Sequence, residues 1–503
     1  MDGLGGGMRL PGEKGAARSA LTVALMTLVG EIAAYLGDLA FASHYGATAV
    51  SDAYLAAGGL LSLPLMLLAA GAGATFMPHY LKRQGRQADE FASNLLGIYG
   101  GLALVGCLLT MALARPLAWL LHPGFDRARL DMAVAAARVM LPALPLLALS
   151  LLLGQILEAH GRFLAAQAAA LPRSLLLAVA CVFFARPFGL WAVAFSVLAA
   201  GVVQAVMLWL LARSTFRFRP YLNLRADYLG QMARQALPAL ISMGAGQMNM
   251  AVSHALASGL AAGQLTSMSL SMQLVMLLNT LLTLPLTTVM FPRMSRMAAA
   301  GDRQGALKGC AACVRYILAF LIPAVCVGCA CPGEIVQLAY GWGAFGRDSV
   351  ALTASLFALH LPGALGMGLR MLFTSAFHAL SDTRTPLYAG LGGAAVNLGL
   401  CLALVPALGV RGLALASTLS SLLCALFLGC ALARTQQGGV HPFSGPLKRL
   451  ALPGLLCLLA ALGLRRLLPS GAPALPALLL CALPAWSLYC LALIPSCRTA
   501  PFP

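Results

Sequence analysis

Ionisable side chains inside long apolar segments are the strongest candidates in this sequence for binding a ligand or transferring a proton. Glu31 and Asp38 lie seven residues apart in one apolar run, so they project from nearly the same face of a helix. Asp52 opens the next run, and Arg173 and Arg370 each stand near the middle of a later one. A charge at the centre of a membrane costs about 2.5–3.5 kcal/mol on insertion scales. We therefore expect these residues to face a polar cavity or each other.

The two kinds of charge predict different roles. An arginine binds phosphate through a rigid fork of donors, so Arg370, with Arg173 as a second candidate, is predicted to hold an anionic group. The carboxylates are predicted to shape or gate the cavity. Two alternatives stay open: Asp52 follows Ser51 at a helix start and is also a candidate N-cap. Arg173 is also placed to bond a backbone carbonyl that Pro172 leaves free.

Uncharged polar side chains cluster in two neighbouring apolar segments later in the chain, namely Gln247, Asn249, His254, Gln273 and Asn279. Each of them alone is commonly a hydrogen bond between helices. As a group they favour a polar cavity wall, in which Gln273 and Asn279 are candidate lining residues. His254 is also a candidate proton relay.

The elements that position these side chains are predicted to be transmembrane helices. The 503 residues are 60% hydrophobic and 10% charged, with a mean hydropathy of +0.86, whereas soluble domains carry about 25% charged residues. Apolar runs close to the roughly 20 residues that cross a bilayer recur from end to end. The fold class is therefore all-α and polytopic, with about fourteen transmembrane helices.

Charge and segment order predict the organisation of the chain. Of the 33 Lys and Arg residues, 21 fall in loops on one side of the predicted spans, 8 on the other and four within spans. This bias places both termini in the cytoplasm and explains the net charge of +18 without a nucleic-acid partner. The predicted parts are a basic tail at 1–18, an N-lobe of six spans at 19–212, an amphipathic connector at 213–235, a C-lobe of six spans at 236–433, and two extra spans with a short tail at 434–503.

The two six-span lobes are predicted to be copies of one unit. Residues 141–196 and 361–416 correspond at a constant offset of 220, which aligns Leu141-Pro142 with Leu361-Pro362. Because six helices separate the copies, both start on the same side, as in a parallel repeat about an axis along the membrane normal. Repeats of this kind frame a central cavity that opens alternately to each side.

Enzyme chemistry finds no support in the motifs. The sequence has no phosphate-binding loop, no H-E-x-x-H and no nucleophile–base pairing, so the chain is predicted not to be an enzyme and to need no cofactor. The fourteen cysteines include two C-x-x-C pairs, 310–313 and 326–329, but no histidine cluster accompanies them. They are interpreted as buried small side chains rather than a metal site. The energy source, including any coupling ion, stays open.

Several short motifs resemble one transporter family. Residues 377–386, FHALSDTRTP, closely resemble the turn between the tenth and eleventh spans of the MurJ/MviN lipid II flippases. Gly37-Asp38 and Ser51-Asp52-Ala53 resemble the first hairpin of that family, and Phe291-Pro292 resembles the end of its eighth span. The resemblance covers roughly residues 21–433. It implies a V-shaped inner-membrane protein that moves an undecaprenyl-pyrophosphate-linked sugar–peptide to the periplasmic leaflet, with spans thirteen and fourteen forming a groove for the lipid tail.

The sequence departs from this family at the cavity cations. Family members carry cavity arginines in the first, second and eighth spans, and the matching positions here hold Glu31, Gly37, Leu65 and Gln273. The acidic positions Asp38 and Asp52 persist. Arg370 adjoins a family lysine position, which the resemblance implies is part of the headgroup site.

The expected function is therefore translocation of a polyprenyl-linked glycan, with lipid II as the leading cargo and membrane lipids as the other partners. Three alternatives remain open: a flippase for another polyprenyl-linked polysaccharide intermediate, a drug/cation antiporter of the same superfamily, and a non-transporting scaffold for envelope synthesis.

Overall fold

The computed structural model describes residues 13–434, 444–469 and 473–498, which form a bundle of helices. The first twelve residues of the predicted N-terminal tail lie outside the described residues, as do 435–443, 470–472 and 499–503. The helices of the first half are α1 (Glu13–Tyr45), α2 (Ala49–Tyr80), α3 (Arg86–Ala112), α4 (Ala114–Leu121), α5 (Arg127–Met140), α6 (Ala143–Ala159), α7 (Phe163–Ala168), α8 (Leu171–Val179), α9 (Ala185–Phe188) and α10 (Leu190–Ala212).

The second half and the C-terminal pair continue the same pattern. Their helices are α11 (Asp227–Ser258), α12 (Gln264–Leu282), α13 (Leu284–Ala299), α14 (Arg303–Ala330), α15 (Pro332–Tyr340), α16 (Arg347–His360), α17 (Gly363–Ala379), α18 (Arg384–Leu408), α19 (Val410–Arg434), α20 (Ser444–Leu467) and α21 (Ala474–Arg498).

The predicted spans are present as helices. Within the described residues, eleven segments are long and apolar enough to cross a membrane, and two bent helix pairs raise the number to thirteen. Helix α11 occupies the place of the predicted seventh span and is 32 residues long, which exceeds a hydrocarbon core of about 30 Å at about 1.5 Å per residue. It begins at Asp227, nine residues before the predicted start. Helices therefore occupy all fourteen predicted positions, which confirms the fold class.

The two bent pairs are related by the repeat that the sequence predicts. Helices α5 and α6 meet at an angle of 50°, and α16 and α17 meet at 45°. The breaks fall at Leu141-Pro142 and Leu361-Pro362, at the predicted offset of 220. Proline lacks the N–H that would continue the hydrogen-bond ladder of a helix, so the same residue bends the same span in both halves.

Backbone geometry supplies independent support for the repeat. Gly161 and Ser381 end the bent spans in turns with φ angles of 74° and 63°, and Gly189 and Gly409 have φ angles of 52° and 56°. Both pairs are separated by 220 residues. Positive φ values are unfavourable for most residues, so their recurrence at equivalent positions shows that the two halves share one backbone plan.

The connector between the halves is held by the first turns of α3. The Asn94 side chain donates to the Asn223 carbonyl at 3.0 Å and accepts from the Asn223 N–H at 2.6 Å. The Ser93 hydroxyl accepts from the Arg219 N–H at 2.9 Å. These bonds satisfy the polar backbone of an irregular segment at 213–226, which then leads into α11.

The C-terminal helix pair packs on the second half. Cys457 of α20 and Cys481 of α21 belong to the same buried apolar cluster as Cys310 and Cys313 of α14. These cysteines are free thiols. At one end of the pair, the Arg465 guanidinium contacts the Glu334 carboxylate of α15 at 2.6 Å. The cysteines thus occupy packing positions between helices.

Candidate functional site

Three of the predicted site residues lie together where α1 packs on α8. Gly37 brings the two helices close, because a Cβ at that position would lie 3.2 Å from the Ser174 carbonyl oxygen. Arg173 precedes Ser174, and Arg173 and Glu31 are the charged groups that act electrostatically on Asp38. Asp38 and Glu31 are half-buried and Arg173 is exposed. The structure therefore assembles a mixed-charge group from the first and fifth spans.

Tyrosines from both halves lie within electrostatic range of the Asp38 carboxylate. Tyr35 and Tyr54 come from the first half, whereas Tyr340 comes from α15 of the second half, and all three lie within electrostatic range of Asp38. The Tyr35 hydroxyl donates to the Ala339 carbonyl at 3.1 Å. The fully buried Tyr340 hydroxyl has no hydrogen-bond partner among the described residues. Asp38 thus lies where the two halves meet.

Asp52 joins the halves directly. Its Oδ2 accepts from the Gly263 N–H at 2.7 Å, and its Oδ1 accepts from the Thr266 N–H at 2.9 Å and the Thr266 hydroxyl at 2.7 Å. These N–H groups start α12 and have no partner within that helix, and the carboxylate also complements the positive end of the helix dipole. Helix α2 has its own cap, Thr48. Asp52 therefore caps a helix of the opposite half.

Gly263 is required at this contact. Its φ angle is 84°, and a Cβ there would lie 2.1 Å from the Ala47 carbonyl oxygen. Only glycine accepts both this backbone geometry and this approach. The start of α12 is thereby pressed against the loop between α1 and α2.

Further contacts close the same end of the bundle. The Ala344 N–H donates to the Ser43 carbonyl at 2.7 Å, and the Gly124 N–H donates to the Ser258 hydroxyl at 3.0 Å. An apolar cluster beneath them includes Ala57 of α2 and Leu265 of α12. We call this region, residues 43–52, 122–126, 258–266 and 339–345, the closed end. The two halves are therefore in contact along this end of the bundle.

Arg370 lies apart from the acidic group, in the second half. It is exposed on α17 and acts electrostatically on Cys424 of α19. Gly393, the repeat counterpart of Arg173, also faces Cys424, since a Cβ there would lie 3.5 Å from the sulfur. Arg370 and Arg173 come from spans that the repeat does not relate to each other. Even so, Arg370 lies near Gly393, the residue of the second half that corresponds to Arg173.

Gln273 and Asn279 both lie on α12, in different surroundings from the acidic group. Gln273 is half-buried. The Asn279 side chain donates to the Val275 carbonyl of its own helix at 3.2 Å and faces Gly368 of α17, where a Cβ would lie 3.1 Å from its Oδ1. Asn279 therefore lies between helices of the second half, and the structure does not bring it to Asp38.

The residues that complete these contacts were not predicted from the sequence. Tyr340 and Thr266 carry no charge, and their partners lie far away along the chain, 214 residues in the case of Thr266 and Asp52. The one local signal for Thr266 is its place three residues after a glycine at a helix start, where N-terminal donors need an acceptor.

Comparison with known proteins identifies the family. A family model described as lipid II flippase MurJ matches residues 41–471. The chain belongs to the lipid II flippase MurJ family. A probable lipid II flippase MurJ of Rhizobium tropici is 26% identical over 436 residues, which is 82% of this chain and 80% of that relative.

Solved structures show the same fold. A lipid II flippase MurJ in an inward closed conformation superposes with a TM-score of 0.81 at 18% identity, over 95% of this chain and 99% of that one. An inward-facing multidrug resistance transporter of the MATE family superposes with a TM-score of 0.66 at 17% identity, over 84% and 100% of the two chains. The chain thus shares its fold with both of these solved structures.

The MurJ-like motif at 377–386 is a capping turn. The Asp382 carboxylate accepts from the backbone N–H groups of Arg384 and Thr385 at 2.9 and 3.1 Å, and from the Thr385 hydroxyl at 2.6 Å. That hydroxyl, with the two N–H groups and the Arg384 charge, lowers the pKa of Asp382. The motif therefore starts α18 and fixes the turn from α17, which carries Arg370.

The Asp38 carboxylate gives the first testable prediction. Asp38→Asn keeps the size of the side chain but removes its charge, so we expect at least a tenfold loss of transport with less than about 1 kcal/mol change in stability, as for a half-buried group outside the core. Transport into the outer leaflet of vesicles and a thermal unfolding curve measure the two effects. Asp348→Asn, at an exposed helix start, is the matched control. Transport at the wild-type rate by Asp38→Asn would show that the charge of Asp38 is not needed for transport.

Proposed function

We propose that this chain moves lipid II from the cytoplasmic to the periplasmic leaflet by alternating access. Membership of the MurJ family over residues 41–471 is the observation that carries the proposal. The fold agrees with the proposal, because its two halves are related by a repeat, as in alternating-access transporters, and contact each other at the closed end. The family consists of transporters, which agrees with the absence of enzyme motifs in the sequence.

The orientation follows from the charge bias of the loops. We place the protein in the bacterial inner membrane with both termini in the cytoplasm, as the positive-inside rule requires. The basic connector at 213–226 then lies at the cytoplasmic surface, and the closed end lies at the periplasmic surface.

Arg370 is the proposed main contact to the anionic headgroup, with Arg173 as its partner from the first half. Both guanidiniums are exposed, so their donors are available to a ligand, and a fork of donors suits a pyrophosphate. Arg173 and Glu31 both act electrostatically on Asp38. We infer that these carboxylates hold the Arg173 guanidinium in place between transport cycles and release it to the headgroup.

A second candidate function rests on the absence of the cavity arginines that the family carries. The positions that correspond to family arginines hold Glu31, Gly37, Leu65 and Gln273, and a site with fewer cations holds a pyrophosphate less firmly. This favours a flippase for another polyprenyl-linked glycan as the alternative. A drug/cation antiporter is the third possibility, supported by the MATE-like fold and the membrane carboxylates.

Complementation tests the proposal. The chain is expressed in bacteria depleted of their own lipid II flippase, and growth is followed together with the amount of chain in the membrane. Rescue that disappears with Arg370→Ala supports lipid II transport. Lysis despite normal membrane levels would reject lipid II as the cargo and favour another polyprenyl-linked glycan.

A further inference from the structure

A pair of histidines lies across the junction of the two halves at the closed end. His122 follows α4 in the first half, and His254 belongs to α11 in the second half. Their rings are stacked with centroids 6.3 Å apart. His122 is only 3% exposed, and its Nδ1 has no hydrogen-bond partner among the described residues. The pair therefore lies in a contact between the halves that must separate whenever this end opens.

The surrounding backbone shows how tight this contact is. A Cβ on Gly124 would lie 2.2 Å from the Gly259 Cα, so the loops of the two halves touch through glycine backbones. The Gly124 N–H also donates to the Ser258 hydroxyl. A charge formed on the buried His122 ring would be poorly solvated while this contact lasts.

The charged groups around His122 are already engaged. On the following loop, Asp126 is paired with Arg129, whose guanidinium lies over the Phe125 ring that stacks on His122. On α2, Asp52 is bonded to the start of α12. On α4, Arg115 is paired with Asp131 at the surface. Within the described residues, none of these carboxylates is free to form an ion pair with a protonated His122 ring.

We propose that the His122–His254 contact makes the closed end sensitive to acid, so that protonation of these rings opens it. Two imidazolium rings at this separation repel each other and lack counterions, whereas both become hydrated when the halves part. The inference rests on the alternating access proposed above but not on the identity of the cargo.

The direction and size of the effect follow from proton linkage. Burial, with the His254 ring as a smaller contribution, lowers the pKa of His122 from 6.5 to about 4 in the closed form, and a hydrogen bond with the His254 backbone opposes this shift without reversing it. The closed form therefore binds fewer protons than the open form, and its stability is lost as the pH falls below 6.5. For this histidine alone, the open-to-closed ratio rises about tenfold between pH 7.5 and pH 5.5.

Spin labels across the closed end measure this ratio. Spin labels are attached to cysteines introduced at the exposed positions 123 and 261 of an otherwise cysteine-free chain. The labelled chain is placed in liposomes without substrate. The distance between the two labels is measured by double electron–electron resonance at pH 7.5 and pH 5.5. We expect the long-distance population to grow at least tenfold relative to the short one, because His122 alone accounts for about tenfold and protonation of His254 adds to it. The double variant His122→Asn, His254→Asn is expected to lose this response, whereas His160→Asn, an exposed histidine outside the closed end, retains it.

Two outcomes would overturn the proposal: a distance distribution that does not change with pH, or a response that persists in the double variant. If the double variant does not reach the membrane, the single variant His254→Gln is measured instead. Its response to pH must be smaller than that of the wild type, because only one of the two titrating rings remains. These distance measurements do not involve lipid II. Failed complementation would therefore reject lipid II as the cargo, whereas only the distance measurements would reject the acid response.

Discussion

Removing the Asp52 carboxylate is expected to open the closed end. In Asp52→Ala, the N–H groups of Gly263 and Thr266 and the Thr266 hydroxyl lose their acceptor, and hydrogen bonds to a charged group contribute about 1.5–3 kcal/mol each. Part of that loss is recovered by water once the halves separate. We therefore expect the open-to-closed ratio to rise roughly 100-fold, which corresponds to about 2.7 kcal/mol.

Amide hydrogen exchange at the start of α12 measures this change directly. The N–H groups of residues 263 and 266 are the donors to Asp52, so they should exchange much faster in Asp52→Ala, together with a loss of transport. Asp131→Asn, whose exposed carboxylate pairs with exposed Arg115, is the control and should exchange as the wild type does. Unchanged protection at residues 263–266 would show that Asp52 does not hold the halves together.

Arg370→Ala is expected to abolish transport while the protein stays folded. The exposed guanidinium has no ion-pair partner within the described residues, so its removal leaves no buried charge behind. A bidentate contact to a pyrophosphate is lost, and we expect at least a 100-fold fall in transport. Arg370→Lys should restore only part of the rate, because an ammonium supplies charge without the fork of donors.

Transport and thermal stability together separate a binding role from a structural one. Arg138→Ala removes another exposed arginine from a span that carries the corresponding bend in the first half, and it should transport normally. A lysine variant that is as inactive as the alanine variant would favour a strict geometric need for arginine. Wild-type transport by Arg370→Ala would remove Arg370 from the site.

Local features of the sequence were sufficient to predict the helices and the repeat. Apolar runs of bilayer length mark the spans, and Pro142 and Pro362 bend equivalent helices because each removes a backbone donor. Helix α11 begins nine residues earlier than predicted, because it extends beyond the apolar run through a stretch that includes Asp227, Gln231, Arg234 and Gln235. Hydropathy detects the part of a helix in the membrane, not the part that extends into water.

The contacts between the halves required the three-dimensional structure. Asp52 was open to interpretation as a cap, but its partner lies 211 residues away at Gly263, and no local pattern predicts that pairing. The grouping of Glu31 with Asp38 followed from helical periodicity, whereas the approach of Arg173 depends on how α8 packs on α1. Periodicity gives the face of a helix but not the helix that it meets.

The most direct test of lipid II transport is the fraction of lipid II that can be reached from outside the cell. Spheroplasts are prepared from bacteria depleted of their own flippase and supplied with this chain, and an external enzyme that cleaves lipid II reports the amount in the outer leaflet. The proposed function predicts that the chain restores cleavage to the level before depletion and that Arg370→Ala does not. Cleavage that stays at the depleted level, with the chain present in the membrane, would contradict lipid II transport.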